Sequence, residues 1–273
     1  MVTHAQHTRT PAVAGQFYPS DPKELSETVE KLLPKKASAV PRKAVIVPHA
    51  GYIYSGKIAG NVYARTAVPS LSILVGPNHT GRGASLSLYP GGSWMTPLGA
   101  MRVNQDFVQA IRREFDAFSL DTLAHTYEHS LEVQLPFLKH ISAQSTIVPI
   151  IVGTDHVPSL LKAGSALGRV IRDWKQPSLL ICSTDMTHYE PLVTAQRKDK
   201  MAIQALTSLD PKELALVVAE NAISMCGWAP AVMILAACRT LGATKAEFIA
   251  YGTSADTTGD RSSVVGYAGM AFG

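Results

Sequence analysis

Four nearly unbroken apolar runs punctuate the chain, at residues 44–47, 72–75, 146–152 and 178–182, and each stops at a polar turn. Their length and continuity predict strands buried on both faces. Between them the apolar positions change to helical spacing. Asp21 with Pro22 predicts a capped helix to residue 33. Ile58, Val62 and Tyr63 mark a helix over 57–67, and Asn104 caps another to residue 115. Helices also follow over 158–174, through Met201 and Ala205, from Asp210-Pro211 to about residue 222, and along the apolar segment 231–241. Residues 125–138 read as a helix bent at Pro136, because proline removes a backbone donor and clashes with the preceding turn. Residues 84–103 alternate around Gly91-Gly92 and predict a hairpin added to the main sheet. Two closing strands are expected over 248–251 and 263–270.

Strands alternating with helices imply an α/β fold: a mostly parallel central sheet with helices on both faces, plus a small antiparallel hairpin. No composition break divides the chain, so one domain is expected over 1–273, with residues 1–10 flexible.

Composition narrows the function. At 46% hydrophobic and 17% charged the chain is an ordinary globular one. The net charge of +4 is spread along the sequence, which argues against a nucleic-acid partner. No run approaches the roughly 20 apolar residues of a membrane span, and the N-terminus lacks a signal peptide, so a cytoplasmic protein without a membrane partner is expected. Three cysteines without a CxxC pair exclude a disulfide framework and a zinc ribbon. Dinucleotide, ATP and serine-hydrolase signatures are absent from the sequence.

The informative regularity lies at the strand ends. His49, His79, Asp155-His156 and Asp185 with His188 all fall just beyond expected buried strands, where ligands gather in open α/β sheets. Imidazole suits iron, copper, nickel or zinc, and two histidines with an anionic ligand leave coordination positions open. Cys182 and Cys238 read as core residues. Cys226 precedes a helix N-terminus and reads either as a thiolate favoured by the helix dipole or as a packed loop thiol. Asp185 and His188 read as pocket groups for acid/base work, or as a capped turn. His129 and Glu132 read as a hydrogen-bonding pocket wall, since His125 to Glu132 does not reproduce HExxH. Asp155-His156 reads as a helix cap.

Taken together, AVAGQFYPSDP, VPHAGYIYSG, GPNHTG, EHSLEVQLPFL, STDMTHYE and MCGWAP resemble the Memo family from residue 11 onward. That resemblance implies a fold similar to the class III non-haem iron extradiol dioxygenases. It places His49 and His79 as metal ligands, Cys226 at the third ligand position, Asp185 and His188 as catalytic pocket residues, and Tyr54 at the pocket. A thiolate in place of a carboxylate softens the site, so Fe(II) is the expected metal with copper as the alternative. The implied activity is redox or oxygen chemistry on a small substrate. A non-catalytic scaffold holding a peptide or protein in the same pocket is the alternative, and metal-assisted hydrolysis a third reading. Microbial members of the family are associated with a radical-SAM protein, which implies such a partner here.

Overall fold

The computed structural model describes residues 7–35 and 37–273. Its elements in chain order are β1 (Thr8–Arg9), α1 (Pro22–Leu32), β2 (Ala44–Val47), α2 (Tyr52–Ala64), β3 (Leu71–Pro77), β4 (Leu86–Leu88), β5 (Ser93–Thr96), β6 (Gly99–Arg102), α3 (Gln105–Glu114) and β7 (Ser119–Leu120). The second half holds α4 (Leu135–Ile141), β8 (Thr146–Val152), α5 (Val157–Asp173), β9 (Ser178–Ser183), β10 (His188–Glu190), α6 (Leu192–Thr207), α7 (Pro211–Glu220), α8 (Trp228–Thr240), β11 (Ala246–Thr253), α9 (Ala255–Thr258) and β12 (Val264–Phe272).

The main sheet runs β10-β12-β2-β9-β3-β8-β4-β7, with β11 paired to β12. Its centre, β2-β9-β3-β8, is parallel, and β12 and β4 flank it antiparallel. This is the α/β architecture expected from the alternating pattern. Helices α8, α5 and α7 cover one face, while α2 with α1 and α4 covers the other. The α5–α8 contact is close because Gly164 has no Cβ: one built there would lie 2.1 Å from the Met233 carbonyl oxygen. Among the described residues no helix is long and apolar enough to cross a membrane.

The caps act as the sequence predicts. Asp21 accepts from Glu24 N, Asn104 from Phe107 N, and Asp210 from the Lys212 and Glu213 amides. Three local expectations are corrected. Helix α2 begins at Tyr52, five residues early, because the turn ends at Gly51 and the segment behind it is already helical. The hairpin is β5–β6, turning between Thr96 and Gly99 rather than at Gly91-Gly92, and it pairs with β1 in a separate three-stranded sheet. Residues 125–131 are turns, followed by a 3₁₀ turn at Glu132–Gln134. Pro136 therefore sits in the first turn of α4, where its missing N–H costs nothing, instead of kinking a longer helix. The expected Asp155-His156 cap is supplied by His156, the N-cap of α5, whose Nδ1 lies 2.8 Å from Ser159 Oγ.

Of the segment expected to be flexible, 1–6 lie outside the described residues. Thr8 and Arg9 form β1, and Arg9 is buried. Its guanidinium bonds Glu132 Oε2 at 2.7 Å and the carbonyls of His125 and Glu128, and stacks over Trp94. The Glu132 carboxylate takes three further donors: Ala12 N, Val13 N and Tyr18 Oη. The N-terminal segment is thereby fastened to the turns around His129.

Candidate metal centre

Parallel register sets the geometry of the sheet edge. Val47 of β2 pairs with Ser183 of β9, and β3 lies on the other side of β9. Pro48-His49, Thr184-Asp185 and Asn78-His79 consequently leave three adjacent strands at their carboxyl ends. His129 arrives from the turns before α4. The ligand atoms of His49, His79 and His129 all lie within 4.8 Å of one another, a group that could hold a metal ion. The His49 ring stands nearly perpendicular to the other two, at centroid distances of 5.2 and 5.3 Å.

A proton inventory shows which nitrogen of His49 is bare. The Pro48 carbonyl can only accept, so the Gln134 atom 3.0 Å from it is the Nε2 donor. The same amide nitrogen donates to Ser183 Oγ, and the Ser183 hydroxyl donates its one proton to the Ser130 carbonyl at 2.6 Å. His49 Nδ1, 3.0 Å from that oxygen, must then be the protonated nitrogen. Its Nε2 keeps a free lone pair. The amide orientation is fixed from its other end by Tyr63, whose hydroxyl donates to Gln134 Oε1. Burial, and then the charges of His129, His79 and His188, hold the His49 imidazole well below its usual pKa, so it stays in the neutral, metal-ligating form.

His79 is fixed in the same way by a residue the sequence reading passed over. Glu128 is fully buried, and its carboxylate accepts from His79 Nδ1 at 2.9 Å, His79 N at 2.6 Å and Ser130 N at 2.9 Å. Burial alone would raise its pKa, but these bonds and the charge of His79 outweigh it and draw it down to about 2. A carboxylate holding Nδ1–H and freeing Nε2 is the usual outer partner of a metal-binding histidine. His129 Nδ1 lies 3.4 Å from the same carboxylate, and Phe17 packs against its ring. His129, expected in the pocket wall, therefore belongs to the imidazole group itself.

Cys226 Sγ lies 3.4 Å from His49 Nε2 and accepts from Asp185 N at 3.2 Å. Gly227 permits this approach, since a Cβ there would come within 2.5 Å of Thr184 Cβ. The helix dipole does not prevail at the thiol: burial first, and the Asp185 charge second, push its pKa up. Asp185 Oδ1 accepts from His49 N, and burial raises the carboxyl to about 6 against the lowering effect of the His49 and Ala50 amides and of His188. His188 gives Nδ1–H to the Met186 and Ser224 carbonyls, which again leaves Nε2 bare.

One expected pocket residue, Glu132, is engaged elsewhere. Glu132 is consumed by Arg9 and the N-terminal segment, because the 3₁₀ turn rotates it away from His129. Tyr54 sits exposed in the first turn of α2, its hydroxyl without a partner among the described residues. A cleft of about 560 Å³ opens beside Cys226, bounded by Asn78, Gly153, Thr154, Asp155 and Trp228.

His125 is buried, with Nε2 2.9 Å from Ser87 Oγ and no partner for Nδ1 among the described residues. Burial, then the charge of Arg9, depress its pKa from 6.5 to about 3. Through that window the unfolded chain holds a proton that the folded chain does not, so stability falls as pH drops, by on the order of 1.4 kcal/mol per pH unit. His125→Leu should flatten the acid limb of stability in denaturant titrations between pH 6.5 and 4. Parallel curves for the two proteins would overturn this assignment.

Comparison with known proteins agrees with the motif reading. A family model described as Memo-like protein matches residues 9–271. A MEMO1 family protein of Aquifex aeolicus is 42% identical over 268 residues, covering 97% of this chain and 98% of its own. One from Methanocaldococcus jannaschii is 40% identical over 279 residues, covering 95% and 97%. Among solved structures, the uncharacterized protein JW3007 of Escherichia coli K12 aligns with a TM-score of 0.55 over 83% of this chain and 98% of its own. At 12% identity that likeness concerns the fold alone. Since the family match runs from the buried Arg9 to the last strand and the relatives are covered almost end to end, the chain belongs to the Memo family.

Proposed function

We propose that this chain is a metal-binding protein whose ion is Fe(II), with copper as the alternative, held by His49, His79 and Cys226 beside His129. The observation carrying this reading is that His49 and His79 each have Nδ1–H committed to a fixed acceptor, so two bare Nε2 atoms converge without rearrangement. The separation of 3.4 Å between Cys226 Sγ and His49 Nε2 suits donors of one ion, which on a tetrahedral centre stand roughly 3.5 Å apart. Neutral imidazoles and a thiol form a borderline-to-soft donor set that fits iron and copper better than magnesium or calcium.

Bound there, the ion supplies a centre for redox or oxygen-dependent chemistry on a small substrate. The protein residues have separate tasks. Asp185 holds the His49 backbone, and His188, with Nε2 unspent, is placed to take or return a substrate proton. The cleft beside Cys226 admits the substrate. Glu128 keeps His79 in one tautomer.

Tag-free protein exposed to Fe(II) without oxygen, then desalted and assayed for iron, tests this reading. Wild type should retain iron near stoichiometry, His49→Ala should retain almost none, and Cys226→Ser should lose most of it. Equal, negligible iron in all three removes the metal reading and leaves the scaffold reading, testable by peptide capture. If His129→Ala abolishes retention while Cys226→Ser does not, the three imidazoles are the ligand set.

A further inference from the structure

The buried face of α6 consists of Ala195, Ala202, Ala205, Leu206 and one acid, Asp199. Among the described residues no lysine or arginine answers that acid. Its oxygens are taken by neutral donors instead: Oδ1 accepts from Thr187 N at 2.8 Å, and Oδ2 from Tyr251 Oη at 2.7 Å. Burial raises its pKa, and the donors of Thr187 and Tyr251 hold the rise in check. Gly266 of β12 makes the room, since a Cβ built there would collide with Asp199 Oδ2. A buried carboxylate without a counter-charge is costly, so its place against the Thr187 segment calls for a reason.

The peptide group it bonds supplies one. Thr187 N–H belongs to the planar unit joining Met186 to Thr187, and the carbonyl of the same unit, Met186 O, accepts from His188 Nδ1 at 2.8 Å. The Ser224 carbonyl shares that proton at 2.9 Å. One amide therefore stands between carboxylate and imidazole, bound by an anion at its N–H and presenting its oxygen to the ring. Hydrogen bonds in such a run polarise one another, each strengthening the next by on the order of 10–30%. The amide cannot drift: Gly266 accepts from Met186 N and donates to the Thr187 carbonyl, Val265 pairs with His188, and His188 N donates to Ser224 Oγ. The charged or titratable groups near His188 are Asp185 and Tyr189 on its own segment, His49 beyond β2, and Asp199 of α6. β12 brings Val265 and the segment before Cys226 brings Ser224, both uncharged. Only Asp199 reaches the ring by a continuous run of hydrogen bonds.

We propose that Asp199 is a positioning residue for His188: its charge, relayed through the Met186–Thr187 amide, keeps the ring proton on Nδ1 and makes Nε2 the stronger base. Tyr251 sets how much of that charge is passed on, because its hydroxyl competes for the same carboxylate. The proton on one imidazole nitrogen is governed by the bond the other makes, and here that bond is reinforced from α6. The relay's use in catalysis rests on the acid/base role given to His188 above; the relay itself does not.

NMR of metal-free protein carrying isotope-labelled histidine tests this, at pH 8 to keep the carboxyl ionised, with the His188 ring signals identified by their loss in His188→Gln. Asp199→Asn still offers Thr187 N an acceptor and Tyr251 Oη an N–H, so shape is kept and charge removed. The His188 Nδ1–H resonance should move upfield, the sign of a weaker hydrogen bond. Tyr251→Phe frees the carboxylate of its second donor and should move the same resonance downfield. Opposite shifts support the relay. No shift in either variant, or shifts in one direction in both, overturns it, because a merely structural carboxylate would leave the ring alone or disturb it alike in the two proteins. Should Asp199→Asn fail to fold, Tyr251→Phe decides: a downfield shift supports the relay and any other result removes it. No metal is added, so loss of the relay leaves the metal reading standing, and failure of iron uptake leaves the relay untouched.

Discussion

Glu132→Ala should lose roughly 3–5 kcal/mol of stability, the range for breaking one half of a buried ion pair, and melt roughly 6 to 15 °C below wild type. The substitution leaves the Arg9 guanidinium buried without its counter-charge. It also orphans Ala12 N, Val13 N and the Tyr18 hydroxyl together. Arg9→Met combined with Glu132→Leu should recover much of the loss, because replacing both charges by apolar groups removes the desolvation penalty along with the attraction. Thermal melts of the three proteins check this. A Glu132→Ala melt within a degree or two of wild type would show that the N-terminal segment is not fastened as described.

The second large effect is expected at Glu128, which is not itself a proposed ligand but bonds His79 and should govern metal affinity. Glu128→Gln should weaken Fe(II) binding about 10- to 100-fold in competition with a chelator, the usual effect of losing an outer-shell carboxylate. A carboxylate offers lone pairs at both oxygens to the amide and ring N–H of His79 and to Ser130 N. An amide replaces one of those acceptors with a donor, so one N–H of His79 faces another N–H and the ring turns. Unchanged affinity would show that His79 is oriented by something other than Glu128.

Much of the architecture was legible because it follows from local chemistry. Buried parallel strands must be apolar on both faces, so β3, β8 and β9 stand out as runs, and Asp21, Asn104 and Asp210 announce helices by accepting from first-turn amides. The strand-end positions of His49, His79 and Asp185 follow from the same rule. What lay beyond reach was the segment between Thr122 and Gln134. Its polar and apolar spacing permits a helix, but the buried Arg9, from more than a hundred residues away, takes the His125 and Glu128 carbonyls that a helix would have used. That tertiary capture turns Glu128 toward His79 and Glu132, the acid expected at the pocket, toward the N-terminal segment. A lone arginine carried no signal of this, and the only local hint is the four acid or imidazole groups between 125 and 132, a cluster that calls for a buried cation.

The placement of β12 next to β2 also sets a timetable for synthesis. His49 leaves the peptidyl-transferase centre early, but the strand at its side and the tie between Gly266 and the Asp185 segment both wait for residues 264–272. At about 5–20 residues per second the interval between making His49 and making Phe272 is roughly 10 to 45 s. During it the imidazoles, joined only in the last stretch by the Cys226 thiol, belong to a nascent chain with no enclosed pocket. Under the metal reading proposed above, selectivity for one ion is then exercised after translation, by the closed pocket.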